Sequence, residues 1–328
     1  MFEGFYGLKE KPFNATPDPK FLFMTPSHRE ALAHLVFGVQ EDKGFLVLTG
    51  EVGTGKTTLL NALLRKLDAG STAVSFIYNS TLSFDEILEY MLKDFGVKAE
   101  ANTRVQRLVA LNAFLIEQRR AGRKSVVIFD EAQNLETSIL EQVRLLSNFE
   151  TPSEKLLQIM LIGQPELKTK LQLPSLRQLK QRIALRCTIH PLSGDEVRDY
   201  IRNRLRIAGA RDLRLFEDRA VERIAEYAAG IPRVINMVCD HCLVSGYALR
   251  KRRIDRAIVD KAVEYLEEGE RAPSESRDSR RLVRWVVGTM AASTAAAAAV
   301  LTMHSAVGGS IAAPIFEMAR AARAWLLP

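Results

Sequence analysis

One octapeptide constrains this chain more than any other feature. Gly50-Glu51-Val52-Gly53-Thr54-Gly55-Lys56-Thr57 fits the spacing G-x-x-x-x-G-K-[ST]; it follows the apolar run FLVLT at 45–49 and opens a helical pattern. Strand, glycine-rich turn and helix in that order form a loop built to hold phosphate. The glycines let backbone N–H groups turn inward around an anion, and the helix N-terminus adds the positive end of its dipole. In such a loop Lys56 reaches the β and γ phosphates of ATP, and the Thr57 hydroxyl binds Mg²⁺.

The surroundings agree with an α/β layout. Short apolar runs at 45–49, 73–78, 125–130, 157–163 and 183–189 lack strict alternation, so they read as strands buried on both faces of a parallel sheet. Helical periodicity fills the gaps at 86–95, 104–120 and 140–149. After Pro191 the strands stop, and four helical stretches with Gly-bearing breaks run to Glu267, the pattern of a small bundle. At 328 residues, 47% hydrophobic and 26% charged, the chain can bury a sizeable core, which excludes wholesale disorder. The net charge of +7 is compatible with nucleic acid, an anionic membrane or solubility alone.

Further residues suit phosphate chemistry. The strand Val126–Phe129 ends in Asp130-Glu131, and two carboxylates at a buried strand tip are costly unless a cation or water needs them. Asp130 suits the Mg²⁺ shell and Glu131 suits polarising an attacking water; a helix N-cap pair is the bland alternative. Gln164 follows the next strand, where it could touch the γ-phosphate or the attacking water, or simply cap the helix that begins PELKTKL. Arg177 and Arg182 lie just before the last strand, and an arginine there could enter a neighbouring subunit's site or belong to a solvated basic face. Gly230-Ile231-Pro232-Arg233 sets Arg233 in the first turn of a helix, where a cation opposes the dipole and wants an anion.

In order, FYGLKEKPFNATPDPKFLF, HREALAHL, GEVGTGKTT (Gly50 to Thr58), FDEAQNL, LIGQPEL, LKQRI and GIPRVIN resemble the blocks of the ExeA/GspA-type secretion ATPases, a branch of the AAA+ superfamily that includes relatives encoded with type IV pilus and exosortase systems. The resemblance covers residues 1–267. It implies a P-loop NTPase core, a helical lid and hydrolysis of Mg-ATP at the interfaces of a homo-oligomer. On that pattern Gln164 is the polar sensor, Arg233 the lid sensor arginine and Arg182 the arginine finger, with Arg177 its competitor. Phe13, Pro17 and Phe23 of the first block would pack around adenine, with core packing the competing reading. Relatives acting in type II secretion often carry a peptidoglycan-binding domain beyond their membrane span. Here only a short segment follows, which favours a pilus-type or exosortase-linked role.

The remaining features set location and partners. Nineteen residues from Trp285 to Met303 carry no charge, the length a helix needs to cross a bilayer. Four arginines on the N-terminal flank against two beyond favour a single pass with the body on the cytoplasmic face of a bacterial inner membrane and the C-terminus outside. The expected division is an adenine-side segment at 1–30, an ATPase core at 31–190, a lid at 191–267, a polar linker at 268–281, a transmembrane helix at 282–304 and a tail at 305–328. An inner-membrane component of an export system is the expected partner. A DNA-acting ATPase of the initiator or TniB type is the competing reading, and a nucleotide-gated scaffold without turnover is a third. Cys187, Cys239 and Cys242 are too few for a disulfide framework, and Cys239-Asp240-His241-Cys242 lacks the second pair that zinc wants, so buried structural cysteines are expected. His28 and His34, six apart, share no helix face, and the run Arg250–Arg253 reads as a solvated loop or a nucleic-acid contact.

Overall fold

The computed structural model describes residues 2–270 apart from 15–17, 68–69, 79–80, 99–102 and 153. Pro17, the linker from residue 271, the expected span at 282–304 and the tail lie outside the described residues. Met1–Tyr265 form one compact unit, and a second unit begins at Leu266.

Five strands build one sheet: Phe45–Gly50 (β1), Thr72–Ile77 (β2), Lys124–Phe129 (β3), Gln158–Gly163 (β4) and Ile183–Ile189 (β5). Each lies within one residue of the apolar run that announced it. All pairings are parallel and the lateral order is β2-β3-β4-β1-β5. Central β1 and β4 are buried at every position, whereas edge strand β2 mixes buried with half-buried positions and edge strand β5 includes exposed ones. Strands covered on both faces by crossover helices have no wet side on which to place polar residues.

The chain opens with the short helix Phe2–Tyr6 (α1). Within the sheet region the helices are Pro26–Gln40 (α2), Lys56–Lys66 (α3), Phe84–Asp94 (α4), Arg104–Arg120 (α5), Thr137–Leu146 (α6), Pro165–Lys170 (α7) and Arg177–Arg182 (α8). Local chemistry fixes several of their starts. Thr25 caps α2 ahead of Pro26, and Ser83 and Thr103 open α4 and α5 with reciprocal capping boxes.

Alternate strand residues feed opposite layers. Leu46, Leu48, Val126, Ile128, Met160 and Ile162 pack with Leu35 of α2 and with Leu59 and Leu63 of α3. Val47, Val127, Phe129, Ile159 and Leu161 pack with Met91 of α4, Leu111 and Leu115 of α5, and Leu140 and Val143 of α6. Each fully buried side chain contributes about 1.5–3 kcal/mol, so the two layers hold the strand tips rigidly in register.

Beyond β5 the described chain is helical: Gly194–Ile207 (α9), Asp218–Ala228 (α10), Pro232–Ala248 (α11) and Arg256–Glu270 (α12). The N-terminal residues lie across these helices. Tyr6 donates its hydroxyl to the Lys251 carbonyl at 3.1 Å, Lys9 N–H donates to Ala208 O at 2.8 Å, and the buried Arg204 guanidinium donates to Pro12 O.

Candidate nucleotide site

The sheet order brings three strand tips together. β4 lies between β3 and β1, so Gln164 stands between the acidic pair at the end of β3 and the glycine-rich loop at the end of β1. Register keeps these tips level, with Thr49 opposite Gly163 and Phe129 opposite Leu161. The carboxyl ends of parallel strands are where ligands bind in open α/β sheets.

Gly53 and Gly55 take left-handed φ values of +79° and +100°, which side chains with a Cβ resist. Gly53 has a second reason to be glycine, because a Cβ there would come within 2.9 Å of Arg233 Cβ. Gly55 caps α3 with no side-chain hydrogen bond, and α11 likewise starts at Ile231 and Pro232 without a side-chain cap. The backbone N–H groups of two helix N-termini are thus left for an anion beside one cavity.

That cavity, of about 480 Å³, is lined by Val52 to Thr58, Phe21, Leu22, Phe23, His28, Glu131, Tyr200, Arg204, Arg233 and Asn236, among others. Lys56 is buried, and its Nζ donates to Gly50 O at 2.9 Å and Glu51 O at 3.0 Å. Burial lowers its pKa, opposed by the charges of Glu131 and Asp130. Thr54 fastens the loop by donating its hydroxyl to Glu51 O at 2.8 Å, and Thr57 faces solvent.

Burial pushes the Asp130 carboxyl above the ordinary aspartate range, although its Oδ1 accepts the Glu131 N–H at 2.9 Å. Glu131 has φ of +49°, a left-handed conformation that costs a non-glycine residue about 1–3 kcal/mol and is characteristic of functional turns. Its Oε2 accepts Nε2–H bonds from Gln133 at 2.6 Å and Gln164 at 3.0 Å. Burial would raise the Glu131 pKa, but these two donors and the Lys56 charge outweigh it and leave the carboxyl below its ordinary value.

The remaining expected residues are placed as follows. Gln164 heads α7 without any side-chain capping bond and spends its amide on Glu131. Arg233 is exposed and lines the cavity. Arg182 lies away from it: its Nη1 donates to Arg144 O at 3.3 Å, Asn148 Oδ1 at 2.7 Å and Ser147 Oγ, fastening the end of α6. Arg177 is exposed. Phe13 is not a lining residue; it is 2% exposed and meets Phe216 edge to face at 5.9 Å, so the core-packing alternative describes its position. Phe23 does line the cavity, edge to face with Tyr200 at 5.6 Å.

Four lining or supporting residues escaped the sequence reading. Gln133 lay within the quoted FDEAQNL block, yet nothing in its spacing separates it from a helix-cap residue. His28, Tyr200 and Arg204 converge from distant elements. His28 Nε2 lies 3.1 Å from Thr54 O and its Nδ1 2.6 Å from Thr25 Oγ1. Arg204 lies over the Phe21 ring at 4.6 Å and donates to the Tyr200 hydroxyl, which donates to Asn236 Oδ1, both at 2.9 Å.

The cysteines are buried and unpaired. Burial pushes the Cys187 thiol up to about 11 and the Cys242 thiol up to about 12, which suppresses the reactive thiolate. No cluster of three metal-ligating side chains occurs among the described residues.

Residues 39–171 match the AAA domain family. Over 255 residues, 77% of this chain and 46% of the relative, the sequence is 43% identical to General secretion pathway protein A of Aeromonas hydrophila. An uncharacterised HTH-type transcriptional regulator of Methanocaldococcus jannaschii is 31% identical over 185 residues, 53% of this chain and 43% of that protein. The chain thus spans less than half the length of either relative. Among solved structures, the Aeropyrum pernix ORC2 protein shares 16% identity at a TM-score of 0.57 over 84% of this chain and 74% of its own. Drosophila ORC bound to DNA gives 17% and 0.58 over 95% and 81%. Such identities show a common fold. The chain thus carries an AAA domain with the P-loop NTPase fold at residues 39–171, and over 77% of its length it is similar to General secretion pathway protein A.

Proposed function

We propose that this chain binds and hydrolyses Mg-ATP, as a membrane-anchored homo-oligomer, to drive assembly or operation of a bacterial secretion, pilus or exosortase-linked export system. The observation that carries the ATPase reading is the convergence of Lys56, Glu131 and Gln164 on adjacent strand tips beside a cavity bordered by two uncapped helix N-termini. The export assignment rests on the likeness to General secretion pathway protein A.

In this reading the loop N–H groups and Lys56 hold the phosphates, and the cavity beyond, lined by Phe21, Phe23 and Arg204, receives the base. Glu131 takes a proton from the attacking water as the bond to the leaving ADP oxygen breaks, and Gln164 and Arg233 take up charge on the γ-phosphate. The half-buried Asp130 and the solvent-facing Thr57 hydroxyl offer the hard oxygen donors that Mg²⁺ prefers, and this ion is usually held by one or two protein ligands with the substrate phosphates. Bound there, Mg²⁺ would neutralise charge developing on the phosphates. Arg182 is proposed to serve the site of a neighbouring subunit, with Arg177 in reserve.

Steady-state ATPase assays with ATP-binding titrations test this. Glu131→Gln should keep ATP affinity and lose roughly 10²–10⁴-fold in kcat; wild-type turnover removes Glu131 as the base. In the same assay Arg182→Ala chains mixed with Lys56→Ala chains should regain activity, and an inactive mixture counts against a finger acting between subunits. The DNA-acting reading draws on the fold likeness, but among the described residues the basic run offers it little. Arg252 donates to Phe5 O, Lys251 pairs with Asp255, and Arg253 lies 3.7 Å from Asp212.

A further inference from the structure

The Glu131 carboxylate is held asymmetrically. Oε2 accepts both amide donors, Gln133 Nε2 at 2.6 Å and Gln164 Nε2 at 3.0 Å, while Oε1 makes no hydrogen bond among the described residues. One oxygen is fixed and the other is left open. A carboxylate that must take a proton from a water needs this division, since free rotation would present either oxygen at any angle and forfeit orientation.

The Gln133 amide cannot present itself either way round. Its Oε1 accepts the Gln164 backbone N–H at 3.0 Å, so its Nε2 is the atom turned to Glu131. The main chain beneath is anchored too, for Lys170 Nζ donates to Gln133 O at 2.5 Å and to Leu135 O at 2.7 Å. Room for the amide comes from β4: a Cβ on Gly163 would approach Gln133 Oε1 to 2.7 Å. Thus the glutamine is oriented by β4 and α7 and in turn orients the acid at the end of β3. Gln164, by contrast, donates its Nε2 to Glu131, and among the described residues no second hydrogen bond holds the other end of its amide. If that amide moves to the γ-phosphate, Gln133 is the donor that stays.

We infer that Gln133 is a positioning residue for ATP hydrolysis, pinning Glu131 Oε2 so that Oε1 faces the attacking water while Gln164 is free to engage the nucleotide. This rests on the reading of Glu131 as the general base.

A double-mutant cycle on the full chain tests it, with ATP binding and kcat measured separately. Gln133→Leu, of similar volume, should leave ATP affinity and KM within about twofold and lower kcat roughly 10–100-fold, the loss expected for a hydrogen bond to a charged group. Gln133→Glu keeps the length but sets a second carboxylate against Glu131, and should fall at least as far. In a Glu131→Gln background, Gln133→Leu should cost less than about twofold more, because the group it positions is gone. Unchanged melting temperatures for the two Gln133 variants separate this from loss of fold. Wild-type kcat in Gln133→Leu, with Glu131→Gln inactive, overturns the inference and leaves the base reading standing. A full additional loss in the Glu131→Gln background also overturns it, since the effect would then not pass through Glu131. Retained turnover in Glu131→Gln itself removes the base reading and this inference together.

Discussion

At the level of single residues, His28 shows how much of the site is settled by contacts between distant positions. Its imidazole is buried between Thr25 and the Thr54 carbonyl, and burial lowers its pKa against the opposing pull of the Thr54 hydrogen bond and the Glu196 charge. The folded pKa lies below the unfolded value of about 6.5, so unfolding takes up a proton as pH falls. The stability His28 contributes is present above about pH 6.5 and is lost as pH drops through its folded pKa. Urea unfolding of wild type and His28→Gln should therefore differ most above about pH 7 and converge as pH falls below about 6.5; midpoints that stay parallel would show that the ring does not titrate as a buried neutral group. Lys56, Thr57, Asp130 and Glu131 were readable from spacing because their chemistry is local to one loop or one strand end. His28, weighed only against His34 six positions on, carried no such signal, because its partner Thr54 is 26 positions away.

At the level of elements, the approach of α11 to the phosphate loop depends on one glycine. Gly230 has φ of +73°, and its carbonyl accepts the Leu192 N–H at 2.8 Å, joining the segment after β5 to the start of α11. A Cβ at this position would lie 2.1 Å from Leu192 O, backbone that has nowhere to go. Gly230→Ala should cost about 2–4 kcal/mol from left-handed strain plus overpacking. It should also weaken ATP binding by displacing Arg233 and Asn236. Thermal melting and an ATP titration check both, and wild-type values in each would show that the junction is softer than its geometry. Sequence marked this glycine only as a helix breaker. Its close approach to Leu192 spans 38 positions and belongs to the packed structure.

Across the whole molecule, the N-terminal residues lie over the helices that follow the sheet, through Tyr6 to Lys251, Lys9 to Ala208 and Arg204 to Pro12. Arg252 adds a cation–π contact to Phe5 at 4.1 Å. Much of the basic run is thereby spent on contacts within the chain, so its charge says less about outside partners than its composition suggested. No described helix is long and apolar enough to cross a membrane, and the expected span lies beyond residue 270. If that span anchors the body, the intact chain should sediment with membranes and a version ending at Glu270 should remain in the supernatant with its ATPase activity intact. Equal partition of the two would remove the anchor from the proposal. By itself the sequence determined the parallel α/β class, the strand positions, the phosphate loop and the acidic pair, because buried periodicity and loop chemistry are written within a dozen residues. Tertiary structure alone decided that β4 falls between β1 and β3, that Gln133 and Gln164 meet on one oxygen of Glu131, and that Phe13 packs into the core while Phe21 and Phe23 face the cavity. Those outcomes depend on lateral strand order and on contacts between residues far apart in the chain, which no local spacing encodes.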